Sequence, residues 1–368
     1  MNVGKSTFTR EDTAFVKGMA LMLMIMHHCC AFYERTPLST ETIEAFRFAH
    51  ITQTIGVFGQ ICVSLFFFLG GYGLYKRFAR NELSLIKDLK RIYSLYWKVL
   101  FVFVPLGFLF FRHVPPEYID KVFNIRFEHF HIDRFLWNLT AMQTDYNFEW
   151  WFITPYIFML VYGYIFVNLQ KVKNISLDLL LLFIITILFQ GGTIVSVLNS
   201  LTPLTQDRIL GAVLHPDQRS SLFFVGILCA KYDFLDMVKA RFSRFNNYQA
   251  VILSLLTIYA CFRIRNTGTA GLVAEWIIVV MLSLVLITFN RFALISKTVC
   301  FIGKHSANMW LIHSFFCYYF LTICLHVVFV FENTLIAAVI TLLLSLASSV
   351  LLNRFYALLF SLFSRKTS

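Results

Sequence analysis

Charge is what this chain has least of. Only 14% of its 368 residues are Asp, Glu, Lys or Arg, against roughly 25% in an ordinary soluble domain. A water-soluble fold could not cover the remaining apolar surface with so few charges. No CxxC pair or Cys/His spacing suggests zinc, so no metal site is expected. The eight cysteines, Cys29, Cys30, Cys62, Cys229, Cys261, Cys300, Cys317 and Cys324, lie in or beside apolar segments and read as buried unpaired thiols. Internal repeats, low-complexity tracts and linkers long enough for a second domain are missing, which leaves one domain spanning 1–368. No cleavable signal is expected either, because the first apolar run begins near Ala14 and lacks a small-residue cleavage site. Intrinsic disorder, a disulfide scaffold and a nucleic-acid module are excluded, since the cations are scattered between apolar runs.

What fills the chain instead is hydrocarbon: 58% hydrophobic residues, 17% aromatic, 42 of them Phe. This is the composition of a polytopic membrane protein. A spanning helix needs about 20 apolar residues, and ten candidates are visible, at 14–33, 52–75, 92–111, 150–168, 177–198, 212–230, 249–264, 271–289, 306–327 and 333–360. The fifth is interrupted by Gly191-Gly192, and the sixth begins in a polar stretch with His215, Pro216, Asp217 and Arg219. The fold class expected is therefore an all-α membrane bundle of about ten transmembrane helices.

The few charges are biased, with a formal net charge of +12. Lys76, Arg77, Arg80, Lys87, Lys90 and Arg91 share one loop. Lys171 and Lys173, then Lys231, Lys239, Arg241 and Arg244, then Arg291, Lys297 and Lys304 fall in alternate loops after it. With the termini they occupy one side of a ten-helix arrangement, which by the positive-inside rule places both termini in the cytoplasm.

The first helix carries the chemistry-bearing residues Lys17, His27 and His28. Polar groups at such depth face the bundle interior or a wet cavity; alternatively Lys17 snorkels and the histidines bond to neighbouring helices. Eleven residues from Lys17 to His28 span about 16 Å at helical rise. The two histidine side chains point about 100° apart, so only one can face a given cavity. No carboxylate is evident inside an apolar span, which argues against a proton- or sodium-coupled transporter, the alternative from a different functional class.

In this pattern the chain resembles the acyltransferase 3 family of integral membrane acyltransferases. Lys17-Gly18 through His28 is similar to that family's first-helix motif of a basic residue and a His separated by ten residues in all, the first of them Gly. Leu65-Phe66-Phe67-Phe68-Leu69-Gly70-Gly71-Tyr72 resembles its FFxxSGY segment, Lys90-Arg91-Ile92-Tyr93-Ser94 its basic third-helix start, and Phe223-Phe224-Val225-Gly226 its sixth helix. Ile302-Gly303-Lys304-His305-Ser306 with Met309-Trp310-Leu311-Ile312-His313 resembles its GxxS…YLxH segment. The chain departs from the pattern at Lys17, where arginine is common, at Gly70 for serine, at Ser94 for proline and at Trp310 for tyrosine.

The resemblance implies transfer of an acyl group, most often acetyl, from cytoplasmic acyl-CoA to a hydroxyl of an extracytoplasmic or lipid-linked saccharide. No permanently bound cofactor is implied; acetyl-CoA or another acyl-CoA is the donor substrate. The family spacing selects His28 over His27 as the general base, and a neutral imidazole titrates in the range this needs. Lys17, Arg91, Lys90 and Lys87 are the candidates to hold the anionic donor, or else they serve topology alone. His313 and Arg219 are candidates to line the acceptor cavity, with packing or an interfacial anchor as the other reading. Trp150 and Trp151 suit an interfacial aromatic belt better than sugar stacking. Glu149 either contacts sugar hydroxyls or lies in a solvated loop. The implied location is a cell membrane, bacterial and cytoplasmic, with lipid around the protein. Oligomeric state and the identity of the acceptor, whether surface polysaccharide, glycolipid or small molecule, stay open.

Overall fold

The computed structural model describes residues 8–119, 126–189, 218–267 and 272–364, and every regular element among them is helical. Among the described residues, seven helices are long and apolar enough to cross a bilayer: Arg10–Cys30, Ala49–Phe78, Leu85–Phe110, Phe148–Leu169, Asn247–Asn266, Ala274–Arg291 and Thr334–Leu362. Two further helical pieces, Ala293–Tyr319 and Leu321–Val328, meet at a 77° bend and make an eighth span if the pair is counted as one. The fifth and sixth expected spans appear among the described residues as shorter apolar helices, Ile175–Leu188 and Ser221–Lys231. Gly191, Gly192, His215, Pro216 and Asp217, which mark their expected boundaries, lie outside the described residues. The protein is thus an all-helical, multi-pass membrane protein.

The chain divides into two compact units, each built from separated stretches: Met1–Ala20, Ile61–Leu89 and Phe152–Gly303 in the first, and Leu21–Gln60, Lys90–Trp151 and Lys304–Ser368 in the second. The passages at Ala20, Leu89 and Gly303 fall inside continuous helices. That is why no linker marks the division in the sequence.

In the first unit the opening helix starts on a reciprocal cap. Thr9 Oγ1 accepts from the Asp12 N–H at 3.1 Å, and Asp12 Oδ2 accepts from the Thr9 N–H at 2.7 Å. Asp12 also binds Lys239 and accepts from Asn290 Nδ2 at 3.2 Å. Glycine lets the Ile61–Phe78 helix meet the Ser221–Lys231 helix backbone to backbone. A Cβ on Gly71 would collide with the Phe223 carbonyl, and one on Gly226 with the Phe68 carbonyl. In lipid no hydrophobic force drives helices together, so close packing of this kind carries their association. Gly70 stands against the Tyr156 and Phe223 rings, so both glycines of the segment serve packing.

A buried charge pair closes the same unit. Lys231 and Asp178, at 1% and 0% side-chain exposure, meet at 2.6 Å. Lys231 Nζ donates further to the Gln170 and Val172 carbonyls at 3.1 and 3.0 Å, and the Tyr232 hydroxyl donates to Asp178 at 2.6 Å. The expectation that no carboxylate lies within an apolar helix is corrected here: Asp178 is buried in the Ile175–Phe189 helix because Lys231 neutralises it there.

The second unit is held by aromatic packing. Phe103, Phe111, Phe127, Phe315 and Phe320 form one cluster, with Phe111 stacked on Phe320 at 4.0 Å and Phe103 tilted against Phe315 at 5.1 Å. Each such pair adds about 0.5–1.5 kcal/mol beyond its area burial. The helix Ala293–Ser314 gives way at this cluster to a π-helical segment, Phe315–Tyr319, and a second one follows at Cys324–Val328. A π turn shifts the side-chain register and frequently occurs at functional sites.

Candidate functional site

His27 and His28 sit in the last turn of the Arg10–Cys30 helix, within the second unit. Their surroundings separate them. His27 Nδ1 lies 2.9 Å from the Gly56 carbonyl, and its ring meets Phe32 edge-on at 4.9 Å. A carbonyl only accepts, so His27 spends its Nδ1 proton on a structural bond. His28, 8% exposed, faces a polar cluster. Its Nε2 is 3.6 Å from Glu149 Oε2, and its ring centroid is 4.8 Å from that of His313 and 5.8 Å from that of Tyr318.

Glu149 is not in a solvated loop. It is 7% exposed and belongs to the 3₁₀ turn Phe148–Phe152, which side chains pin to the end of the Ala293–Ser314 helix. Asn147 Oδ1 accepts from the Glu149 N–H at 3.0 Å and from the Ser314 hydroxyl at 2.9 Å. Asn147 Nδ2 and Trp150 Nε1 both donate to the Leu311 carbonyl, at 3.4 and 2.8 Å, and the Phe148 N–H donates to the Tyr319 hydroxyl at 3.1 Å. The second carboxylate oxygen of Glu149 stands 3.9 Å from Arg35 Nη1, whose guanidinium rests on the Phe32 ring at 4.1 Å.

Trp150 corrects the aromatic-belt expectation. It is fully buried between Tyr96 and Phe315, at 4.9 and 5.7 Å between centroids. A buried indole N–H needs an acceptor, and the Leu311 carbonyl supplies it. Trp151 is half-buried.

His313 is also fully buried. Its Nδ1 lies 2.7 Å from the Trp310 carbonyl, so Nδ1 carries the proton. Its Nε2 has no hydrogen-bond partner among the described residues. Tyr318 donates its hydroxyl to the His28 main-chain carbonyl, and the same oxygen is 3.5 Å from His28 Nδ1. His313 and Tyr318 are five residues apart, a spacing that points about 140° apart on a regular α-helix. The π segment is what lets both face His28. Arg35, Asn147, Ser314 and Tyr318 are the members of this cluster that sequence reasoning missed.

Next to the second unit's Arg126 and Arg134 lies a supporting carbonyl network. Arg126 donates to the Asp145 carbonyl, as does Arg134 Nη2 at 3.0 Å, while Arg134 covers the Tyr146 ring at 4.6 Å. Burial lowers the affinity of the Arg134 guanidinium for its proton, an effect too small to discharge an arginine. Together these bonds set the approach of the Asp145–Glu149 stretch to the histidines.

The expected donor-binding cations divide between the units. Lys17 and Lys87 belong to the first, Lys90 and Arg91 to the second. In the first unit Lys76 is bound by Asp233 and Asp236 at 2.9 and 3.1 Å, Arg77 by Asp88, and Arg80 by Glu82 at 2.9 Å. Lys87, Lys90 and Arg91 are exposed and have no carboxylate partner among the described residues. Lys17 is half-buried, and its neighbour Gly18 passes directly against the Val299 carbonyl, so the glycine of the first-helix motif is a packing residue. Arg219, half-buried in the first unit, lies in electrostatic range of Arg265 and Cys62.

Chemically, the cluster offers a buried imidazole beside a buried carboxylate. Such a carboxylate stabilises the imidazolium that forms when the ring takes a proton. Among the described residues no three of His, Cys, Asp and Glu gather as a metal-binding group. Neither the curated proteins nor the solved structures compared with the chain match it significantly. The acyltransferase domain of the acyltransferase 3 family, however, matches residues 14–354, nearly the whole chain and all of the cluster around His28, and the protein therefore belongs to that family as a membrane acyltransferase.

Proposed function

We propose that the protein transfers an acyl group, acetyl in the first instance, from cytoplasmic acyl-CoA to a hydroxyl of an extracytoplasmic or lipid-linked saccharide, with His28 as general base. The observation that supports this reading best is the 3.6 Å approach of His28 Nε2 to the buried Glu149 carboxylate. The acceptor hydroxyl loses its proton to His28 as its oxygen attacks the thioester carbonyl. The carbon–sulfur bond breaks, and the proton passes from His28 to the departing CoA thiolate. Glu149 offsets the charge on the imidazolium between those two events. At 3.6 Å the pair is longer than a hydrogen bond, a looseness common in catalytic pairs before the substrates tighten them.

The donor-side candidates are Lys17 and Lys87 in the first unit and Lys90 and Arg91 in the second; among the described residues no carboxylate pairs with Lys87, Lys90 or Arg91. Lys76, Arg77 and Arg80 are already paired and belong to the fold. With both termini in the cytoplasm, these cations meet the CoA phosphates from the side where acyl-CoA is made. Arg219 and Trp151 stand as acceptor-side candidates. The setting is the cytoplasmic membrane of a bacterium.

Purified protein reconstituted in vesicles with extracted lipid-linked saccharide and radiolabelled acetyl-CoA tests the reading. Label appearing in saccharide ester supports it; passage of solute across the vesicle without acylation makes the protein a transporter instead. Arg91→Ala should raise the KM for acetyl-CoA and leave membrane insertion intact. An unchanged KM removes Arg91 from the donor site.

A further inference from the structure

We infer that His28 and His313 together recognise two neighbouring hydroxyls of the acceptor: His28 takes the one that reacts, and His313 Nε2 accepts a hydrogen bond from the one beside it. This rests on the acyl-transfer reading above and specifies its acceptor as a vicinal diol. The carrying observation is the unpartnered atom. His313 is fully buried, its Nδ1 proton is committed to the Trp310 carbonyl at 2.7 Å, and its Nε2 lone pair has no donor among the described residues.

A buried acceptor left unpaired is costly, and natural structures keep few of them. The tautomer also fixes which edge is free. The edge bearing Nδ1 turns back onto its own helix, while Nε2 lies on the opposite side of the ring. The ring's polar surroundings are the His28 imidazole, 4.8 Å away between centroids, and the Glu149 carboxylate within electrostatic reach. Neither supplies a proton to Nε2. A neutral His28 that acts as base presents a lone pair of its own, and an ionised Glu149 is an acceptor only.

Two imidazoles with ring centroids 4.8 Å apart, one of them with an unpartnered acceptor nitrogen, suit a ligand with two neighbouring donors. Neighbouring hydroxyls on a sugar ring lie about one hydrogen-bond length, roughly 2.8 Å, from each other, so a single sugar ring can address both imidazoles at once. A simple alcohol would satisfy His28 alone and leave His313 unpaired. The N–H groups of the donor's pantetheine arm are the other possible source of a hydrogen bond, and they give a different kinetic signature.

The test uses purified protein in lipid nanodiscs, acetyl-CoA as donor, and methyl hexopyranosides with their monodeoxy analogues as acceptors. For the wild type, deleting the hydroxyl next to the acylated one should lower acceptor kcat/KM about ten- to a hundredfold. His313→Phe keeps a ring and removes the lone pair. It should impose a similar loss on the full acceptor, mainly in acceptor KM, and no further loss on the deoxy analogue. His313→Gln, whose amide oxygen accepts, should restore part of the loss, and acetyl-CoA KM should stay unchanged throughout. A wild type indifferent to the neighbouring hydroxyl overturns the inference, and this arm needs no variant to fold. So does a His313→Phe effect that appears in acetyl-CoA KM, or one that multiplies with the deoxy effect. If the wild type acylates none of these acceptors, the acyl-transfer reading to a sugar hydroxyl fails first, and the inference with it.

Discussion

The hydroxyl of Tyr318 donates to the main-chain carbonyl of His28, so the π segment Phe315–Tyr319 anchors the backbone that carries the imidazole. Tyr318→Phe removes the donor and leaves a buried carbonyl unpaired, at about 1–3 kcal/mol. The consequence expected is a loss of placement. Steady-state assays should show kcat falling about tenfold with acceptor KM nearly unchanged; an unaltered kcat would mean that the bond does not position His28.

Glu149→Gln keeps the shape of the side chain and removes its charge. Asn147, Trp150 and Tyr319 hold the turn through groups other than the Glu149 carboxylate, so the variant should fold. Positioned acid–base groups contribute about 10²–10⁴-fold to rate, and the loss expected in turnover is at least about a hundredfold. Circular dichroism and thermal unfolding of the purified variant should match the wild type. A fully active Glu149→Gln would show that His28 works without a counter-charge.

Gly71 and Gly226 make a mechanical prediction. Either glycine replaced by leucine drives a side chain into a carbonyl of the facing helix, and overpacking of this kind costs about 1–3 kcal/mol. The unfolding temperature in detergent should drop for each. The expected order is that Gly73→Leu, at a position with nothing within 4 Å of its Cβ, is tolerated far better.

The Lys231–Asp178 pair makes another. Lys231→Met strands a buried carboxylate, and removal of one partner from a buried pair costs about 3–5 kcal/mol. Combining it with Asp178→Leu removes both charges and should recover much of the stability. Thermal unfolding of the two single variants and the double variant checks this. A double variant no better than the sum of its singles would show that the two residues do not act as a pair.

Much of the fold was legible because helix length and apolarity depend on local sequence. The apolar runs beginning at Ala14, Thr52 and Ile92 all fall inside spanning helices. Ile175–Leu188 and Ser221–Lys231 show the limit: they are apolar but short, and the run of hydrophobic letters continues past them. The site was legible where one helix carries the signal. Lys17, His27 and His28 stand out because polar side chains are rare in an apolar helix, and His313 does so for the same reason. Arg35 and Asn147 carried no such signal, since in loops of mixed composition nothing distinguishes a residue that turns inward. Tyr318 was hidden for a geometric reason, because a period of 3.6 places it off the face of His313 and only the π register brings it back. Trp150 was misplaced because interfacial and buried tryptophans look alike until the acceptor for the indole N–H is known, and that acceptor lies 161 positions away at Leu311.

On the proposed reading, His28, backed by Glu149, takes the acceptor proton while His27 serves the fold. Transfer of label from radiolabelled acetyl-CoA to saccharide, measured side by side for wild type, His28→Ala and His27→Ala in reconstituted vesicles, tests it most directly. His28→Ala is expected to lose at least about a hundredfold in turnover, and His27→Ala to keep most of it despite losing its bond to the Gly56 carbonyl. Wild-type turnover in His28→Ala, with activity lost in His27→Ala, would contradict it.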